Sequence, residues 1–206
     1  MRTFNQVGTW DGDEVVLRVL VACEESGTVR EAFKALGHDA WSCDILPSRI
    51  EGQHYQGDVM DIINEEWDLM IAHPPCTRIS NSGVRWLAER NLWDDMREAA
   101  FFFQKLLNVN PRIHARAIEN PIPHKYALEI IGRKYDQIIQ PWQFGHGEVK
   151  ATCLWLNGLP QLQSTNIVEG REQKIWRMPP GPNRQRDRSV TYKNIADAMA
   201  LQWGVL

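Results

Sequence analysis

The chain has 206 residues, 43% of them hydrophobic, and its 23 Lys+Arg against 26 Asp+Glu leave a formal charge of −3. That length fits one domain with a sizeable core, and the composition excludes a disordered chain. No run of about 18 apolar residues occurs, and Arg2, Asp11, Asp13 and Glu14 stand where a signal peptide needs apolar residues, so neither a membrane span nor classical secretion is expected.

Residues 1–14 read as a polar tail, and 15–206 as the domain. Residues 17–22 are a short β-branched apolar run ended by Cys23-Glu24-Glu25-Ser26-Gly27, the pattern of a buried parallel strand. Residues 28–36 then predict a helix, with Val29, Ala32, Phe33 and Leu36 at helical spacing and Gly37 as its stop. Strands follow at 39–44 and 68–72, the latter stopped by His73-Pro74-Pro75. A helix over 94–108 carries a stripe of Met96, Ala99, Ala100, Phe103 and Leu107 and ends at Asn110-Pro111. Next come a strand at 115–119, a short helix at 126–131, and strands at 136–140 and 151–156. Segment 169–190 is broken by Pro179, Pro180, Gly181 and Pro182 and crowded with Arg171, Lys174, Arg177, Arg184, Arg186 and Arg188, so it reads as a basic loop. Ile195, Met199 and Trp203 stripe a last helix over 194–203. Strands separated by helices predict an α/β fold: a single Rossmann-like domain with a doubly wound, mostly parallel sheet.

Ligands of such sheets gather outside the carboxyl ends of the strands. Here those ends carry Glu24, Glu25, Ser26 and Gly27; then Asp44; then His73-Pro74-Pro75-Cys76; then Glu119-Asn120-Pro121. The first turn lacks the G-x-G-x-x-G of dinucleotide sites, and its two acidic residues repel phosphate. Asp44 suits a ribose diol and Asp58, after Gly57, an adenine amine. An adenosine cofactor without phosphates fits, and S-adenosylmethionine is the common one. The four cysteines are too scattered for a zinc site or a disulfide framework, which points to a reducing cytoplasm and no metal. Cys76 stands apart from the other three. Two prolines stiffen its backbone just past a buried strand, and His73 and Arg78 are near enough in sequence to favour its thiolate. Glu119 at its strand end is placed to be protonated and to donate to a ring nitrogen.

In this order the motifs resemble the DNA (cytosine-5) methyltransferases, in a compact form of the kind phages carry. Pro74-Pro75-Cys76 with Ser80 is similar to the family's Pro-Pro-Cys loop, Glu119-Asn120-Pro121 to its Glu-Asn-Val, and Tyr192-Lys193-Asn194-Ile195-Ala196 to its closing Gly-Asn-Ala-Val segment. The resemblance implies that Cys76 attacks C6 of cytosine, that Glu119 donates to N3, and that C5 takes a methyl group from S-adenosylmethionine. Ser26, Gly27, Asp44, Asp58, Pro74 and Asn194 would hold the cofactor; Ser80, Asn120, Lys150, Arg184 and Arg186 would meet DNA. A base in a duplex would have to be flipped out.

The chain departs from the family in its first loop, usually Phe-x-Gly-x-Gly. It also carries Thr77 and Ile79 beside the nucleophile, and Glu148, Lys150 and Thr152 at the places of a Gln-x-Arg-x-Arg. Only the 30 residues from Gln161 to Val190 stand where the family has a target-recognition domain. In them the arginines would track phosphates and Trp176, beside Arg177, would stack on a base, with a protein partner supplying any further specificity. The rivals are a free nucleotide, single strand or RNA as substrate, and an inactive relative that binds cofactor or DNA.

Overall fold

The computed structural model describes residues 15–109, 113–182 and 184–205, without the side chains of Trp176 and Gln185. The expected tail at 1–14, the Asn110-Pro111 stop and the stacking role of Trp176 lie outside the described residues.

Seven strands form one sheet: β1 (Arg18–Ala22), β2 (Asp39–Asp44), β3 (His54–Gln56), β4 (Leu69–Ala72), β5 (Ala115–Pro121), β6 (Gln137–Ile139) and β7 (Thr152–Asn157). Their order is β3-β2-β1-β4-β5-β7-β6. The first five places are parallel, while β7 runs antiparallel to both β5 and β6. This is a Rossmann-like, mostly parallel sheet.

The apolar strands are continuous rather than alternating because both faces are covered. Val19 and Val21 of β1 pack with Val29 and Phe33 of α1 (Thr28–Lys34) and with Ile195, Met199 and Trp203 of α7 (Lys193–Trp203). Leu20 and Ala22 face the other way, with the layer that holds Met96, Ala100 and Phe103 of α3 (Trp93–Leu107) and Ala127 and Ile131 of α4 (Lys125–Ile131). The fully buried last residue of the α3 stripe is Leu106 rather than the expected Leu107, which is only partly buried. The segment expected to be a basic loop contains two short helices, α5 (Lys174–Arg177) and α6 (Arg184–Ser189). Strand β3 and the short helix α2 (Arg85–Glu89) have no periodicity long enough to announce them. No helix of the described residues is long and apolar enough to cross a membrane.

Candidate active site

The register of the sheet determines which side chains meet. Ala72 pairs with Ile118, so His73 and Glu119 occupy the next rung of β4 and β5. Because β7 is reversed, its beginning reaches the edge where the parallel strands end. Thr152 pairs with Pro121, and Lys150 lies just ahead of it.

The Cys76 loop is fastened to the loop after Glu119. The Asn81 N–H donates to the Ile122 carbonyl (2.9 Å), the His124 N–H to that of Ile79 (3.0 Å), and His124 Nε2 to that of Arg78 (2.9 Å). Ser80 is buried; its N–H donates to the Cys76 carbonyl (2.9 Å) and its hydroxyl meets that of Ser82. It therefore shapes the turn beneath the thiol. Asn120 Nδ2 reaches the Pro74 carbonyl at 3.4 Å, while its Oδ1 is buried without a partner among the described residues.

Cys76 is partly exposed, as a nucleophile needs. Burial raises its pKa and the Glu119 carboxylate adds to that, while Lys150 and then Arg188 work in the opposite direction. These charges replace the ones expected from sequence. Arg78 is paired with Asp95 on α3 (3.1 Å), and His73 with Glu119. The positive field on the sulfur thus comes from Lys150 and from Arg188 of α6, a site residue that spacing alone did not single out.

His73 Nδ1 lies 2.8 Å from Glu119 Oε2. Burial works to raise the Glu119 pKa, but the hydrogen bond and charge of His73, with help from Lys150, leave it below the usual carboxylate value. For His73, burial opposes the imidazolium. The bond and charge of Glu119, together with the charge of Glu24, outweigh burial and Lys150 and raise its pKa. In the free protein the pair therefore favours the Glu119 carboxylate and the His73 imidazolium, the opposite direction from the protonated Glu119 expected from sequence.

The β1–β2 side is built differently. Glu24 is buried and accepts from Ser26 Oγ (3.1 Å), from the Val29 N–H (2.7 Å) and from the Arg30 N–H (3.3 Å), so an internal carboxylate closes the start of α1. Gly27 has φ 71°, and a Cβ there would strike Ile50 and Arg30, so packing alone explains the glycine. Asp44 Oδ1 accepts from the Leu46 N–H (2.9 Å) and Asp58 Oδ1 from the Met60 N–H (3.0 Å). Burial raises the Asp44 pKa. Both carboxylates act on the thiol of Cys23, raised first by burial, and on that of Cys43, pushed up to about 12 mainly by burial, so Asp44 and Asp58 lie near the same pair of cysteines. Next to Asp44, Ile45 is exposed.

The basic segment turns inward. Arg186 Nε donates to both oxygens of Glu25 (2.8 Å each), and Arg49 also binds that carboxylate. Arg186 is thus engaged by the protein itself rather than presented to a phosphate, and this latch brings α6 over the strand ends. Arg184 Nε donates to the Met178 carbonyl (2.8 Å). Lys150 Nζ reaches the Val190 carbonyl (3.3 Å), and Asn194 Nδ2 donates to the Phe144 carbonyl (2.8 Å), tying α7 to the turn before β7. Glu148 accepts from the Tyr192 hydroxyl (2.6 Å) and from Lys174 (3.1 Å), holding α5 against α7. Among the described residues, no group of three His, Cys, Asp or Glu side chains is arranged to hold a metal ion. A separate cleft of about 570 Å³ lies at the opposite end of the sheet, between Arg116 and Arg133. Its guanidiniums donate to the carbonyls of Val109 and Leu156.

No protein-family model and no curated protein matches the chain. Among solved structures, a methyltransferase of Entamoeba histolytica, EhMeth, is similar over 75% of this chain and 58% of its own, at 16% identity and a TM-score of 0.47. The chain thus spans little more than half of that structure.

Proposed function

We propose that the protein is an S-adenosylmethionine-dependent methyltransferase acting at C5 of cytosine in DNA through a covalent Cys76 adduct. The observation that carries this proposal is the meeting of Cys76, Glu119 and Lys150 at one edge of the sheet, with the thiol loop stapled to the carboxylate loop.

The donor set at the ends of β1 and β2 fits the cofactor. Its carboxylates suit a cationic, polyhydroxylated ligand and disfavour phosphates, and Ile45 suits the face of a purine. Asp44, Asp58 and Ile45 would hold it, and when bound it supplies an electrophilic methyl group.

At the reaction end, Cys76 loses its proton to solvent, with Lys150 and Arg188 favouring the thiolate. The sulfur bonds to C6, the C5=C6 π pair shifts towards C4, and N3 takes up a proton from the His73–Glu119 pair. C5 is then the nucleophile. After methylation the C5 proton leaves to water, the S–C6 bond breaks and the thiolate is restored. Asn120 Oδ1, buried without a partner among the described residues, would accept from the exocyclic amine.

A single strand, RNA or free nucleotide is the second class of substrate. It is favoured by the slight build of the segment between β7 and α7, which carries only α5 and α6 among its described residues. Incubation with labelled S-adenosylmethionine and a panel of duplex, single-stranded and nucleotide substrates, followed by nucleoside mass spectrometry, tests both. The expected result is 5-methylcytosine in DNA, with a covalent complex trapped on 5-fluorocytosine DNA. Absence of transfer to every substrate across a range of salt would overturn the assignment.

A further inference from the structure

We infer that His73 is a positioning residue for Glu119: through Nδ1 it orients the carboxylate and stores, on the same hydrogen bond, the proton that Glu119 passes to the base. This rests on the proposed cytosine chemistry.

The geometry is specific. The two side chains are the next rung of paired strands, lie 2.8 Å apart, and are only 11% and 10% exposed. Charged groups from the neighbouring elements act on the imidazole: Glu119 of β5, Glu24 of the turn after β1, and Lys150 ahead of β7. Two carboxylates against one ammonium favour the imidazolium. Its other nitrogen, Nε2, is buried without a hydrogen-bond partner among the described residues. A histidine serving only as packing has no need of a carboxylate on one side and an unmet polar atom on the other.

A lone ionised Glu119 has no proton to give as the S–C6 bond forms and N3 gains basicity. With His73 beside it, Oε2 receives the Nδ1 proton while the carboxyl group protonates N3. When the S–C6 bond breaks, N3 returns the proton to Glu119 and Glu119 returns it to Nδ1. Over a turnover the pair neither gains nor loses a proton.

Two measurements test this. NMR titration of the labelled His73 imidazole in the free protein needs no turnover. The expected titration lies above the ordinary histidine value of about 6.5 and falls in Glu119→Gln. The second is the pH profile of methyl transfer. In wild type kcat falls as pH rises and His73 loses its proton. In His73→Asn, whose amide still donates to Glu119 but cannot ionise, kcat drops on the order of 100-fold, that limb disappears, and KM for DNA stays near wild type. Titration at or below the ordinary value, or no response to Glu119→Gln, overturns the inference, as does an unchanged pH profile in His73→Asn. Should His73→Asn fail to fold, the titrations of wild type and Glu119→Gln decide. The expected titration in a protein that transfers no methyl group would leave the shared proton standing and overturn its proposed use, marking the cytosine chemistry as the failed part.

Discussion

Around the ends of β1 and β2, the carboxylates of Glu24, Glu25, Asp44 and Asp58 each accept a hydrogen bond from the protein itself. At the ends of β4 and β5, by contrast, His73 Nε2 and Asn120 Oδ1 are buried with no hydrogen-bond partner among the described residues. A buried polar atom left unmet costs roughly 1–3 kcal/mol. The first half is a wall of internally satisfied carboxylates. The second carries unmet polar atoms and a partly exposed thiol acted on by one carboxylate and two cations.

Substitutions separate the halves most sharply at the thiol. Cys76→Ala is expected to bring methyl transfer and 5-fluorocytosine trapping down to background, as read by gel shift and mass spectrometry. Glu119→Gln should lower kcat on the order of 10²–10⁴-fold. It should also make Cys76 easier to ionise, because the carboxylate next to the sulfur is gone.

Lys150→Met gives the next largest effect. Removing the cation raises the Cys76 pKa further, and one unit makes alkylation by iodoacetamide about tenfold slower at neutral pH. Arg188→Gln should act in the same direction by less, since Arg188 acts on the sulfur more weakly than Lys150 does.

On the finished wall the effects are smaller and structural. Glu25→Gln undoes the latch to Arg49 and Arg186. Hydrogen exchange over 184–189 should quicken, and transfer should fall only a few-fold through the displaced Arg188. A Glu25→Gln protein with unchanged exchange in α6 would show that the latch holds nothing.

Thermal stability against pH weighs the halves together. Glu25, Glu119 and Glu148 have lowered pKa values, so their stabilisation is complete above the ordinary 4.5 and is lost as pH falls through the lowered values. His73 has a raised value, so its stabilisation is complete below 6.5 and is lost as pH rises through the raised value. The unfolding midpoint should therefore be highest between those limits. His73→Asn should flatten the alkaline decline, and Glu25→Gln should soften the acid one.

Much of this was legible in the sequence. Burial on both faces writes β1 and β4 as nearly unbroken apolar runs, and the helical stripe of α7 appears at the expected positions. The strand-end residues follow directly, since a parallel sheet places every carboxyl end on one edge. What spacing could not supply was the partner of each charge. Arg30 shows why. It follows Val29 in a helix of ordinary composition, yet it is fully buried, with its guanidinium donating to Ser42 Oγ (3.0 Å) and the Glu51 carbonyl (2.9 Å) to anchor the loop between β2 and β3.

By itself, then, the sequence determined the order of the longer strands and helices, though not β3, α2, α5 or α6, together with the stiff Pro-Pro-Cys turn and the acidic character of the first loop, because these depend on local periodicity and backbone chemistry. Only the tertiary structure decided that β7 runs backwards and so brings Lys150 to the edge where the parallel strands end. It likewise decided that His73 pairs with Glu119 while Arg78 pairs with Asp95, and that Arg186 closes on Glu25. Electrostatic pairing acts through space, and residues 46 or 161 positions apart become neighbours only once the sheet has set its register.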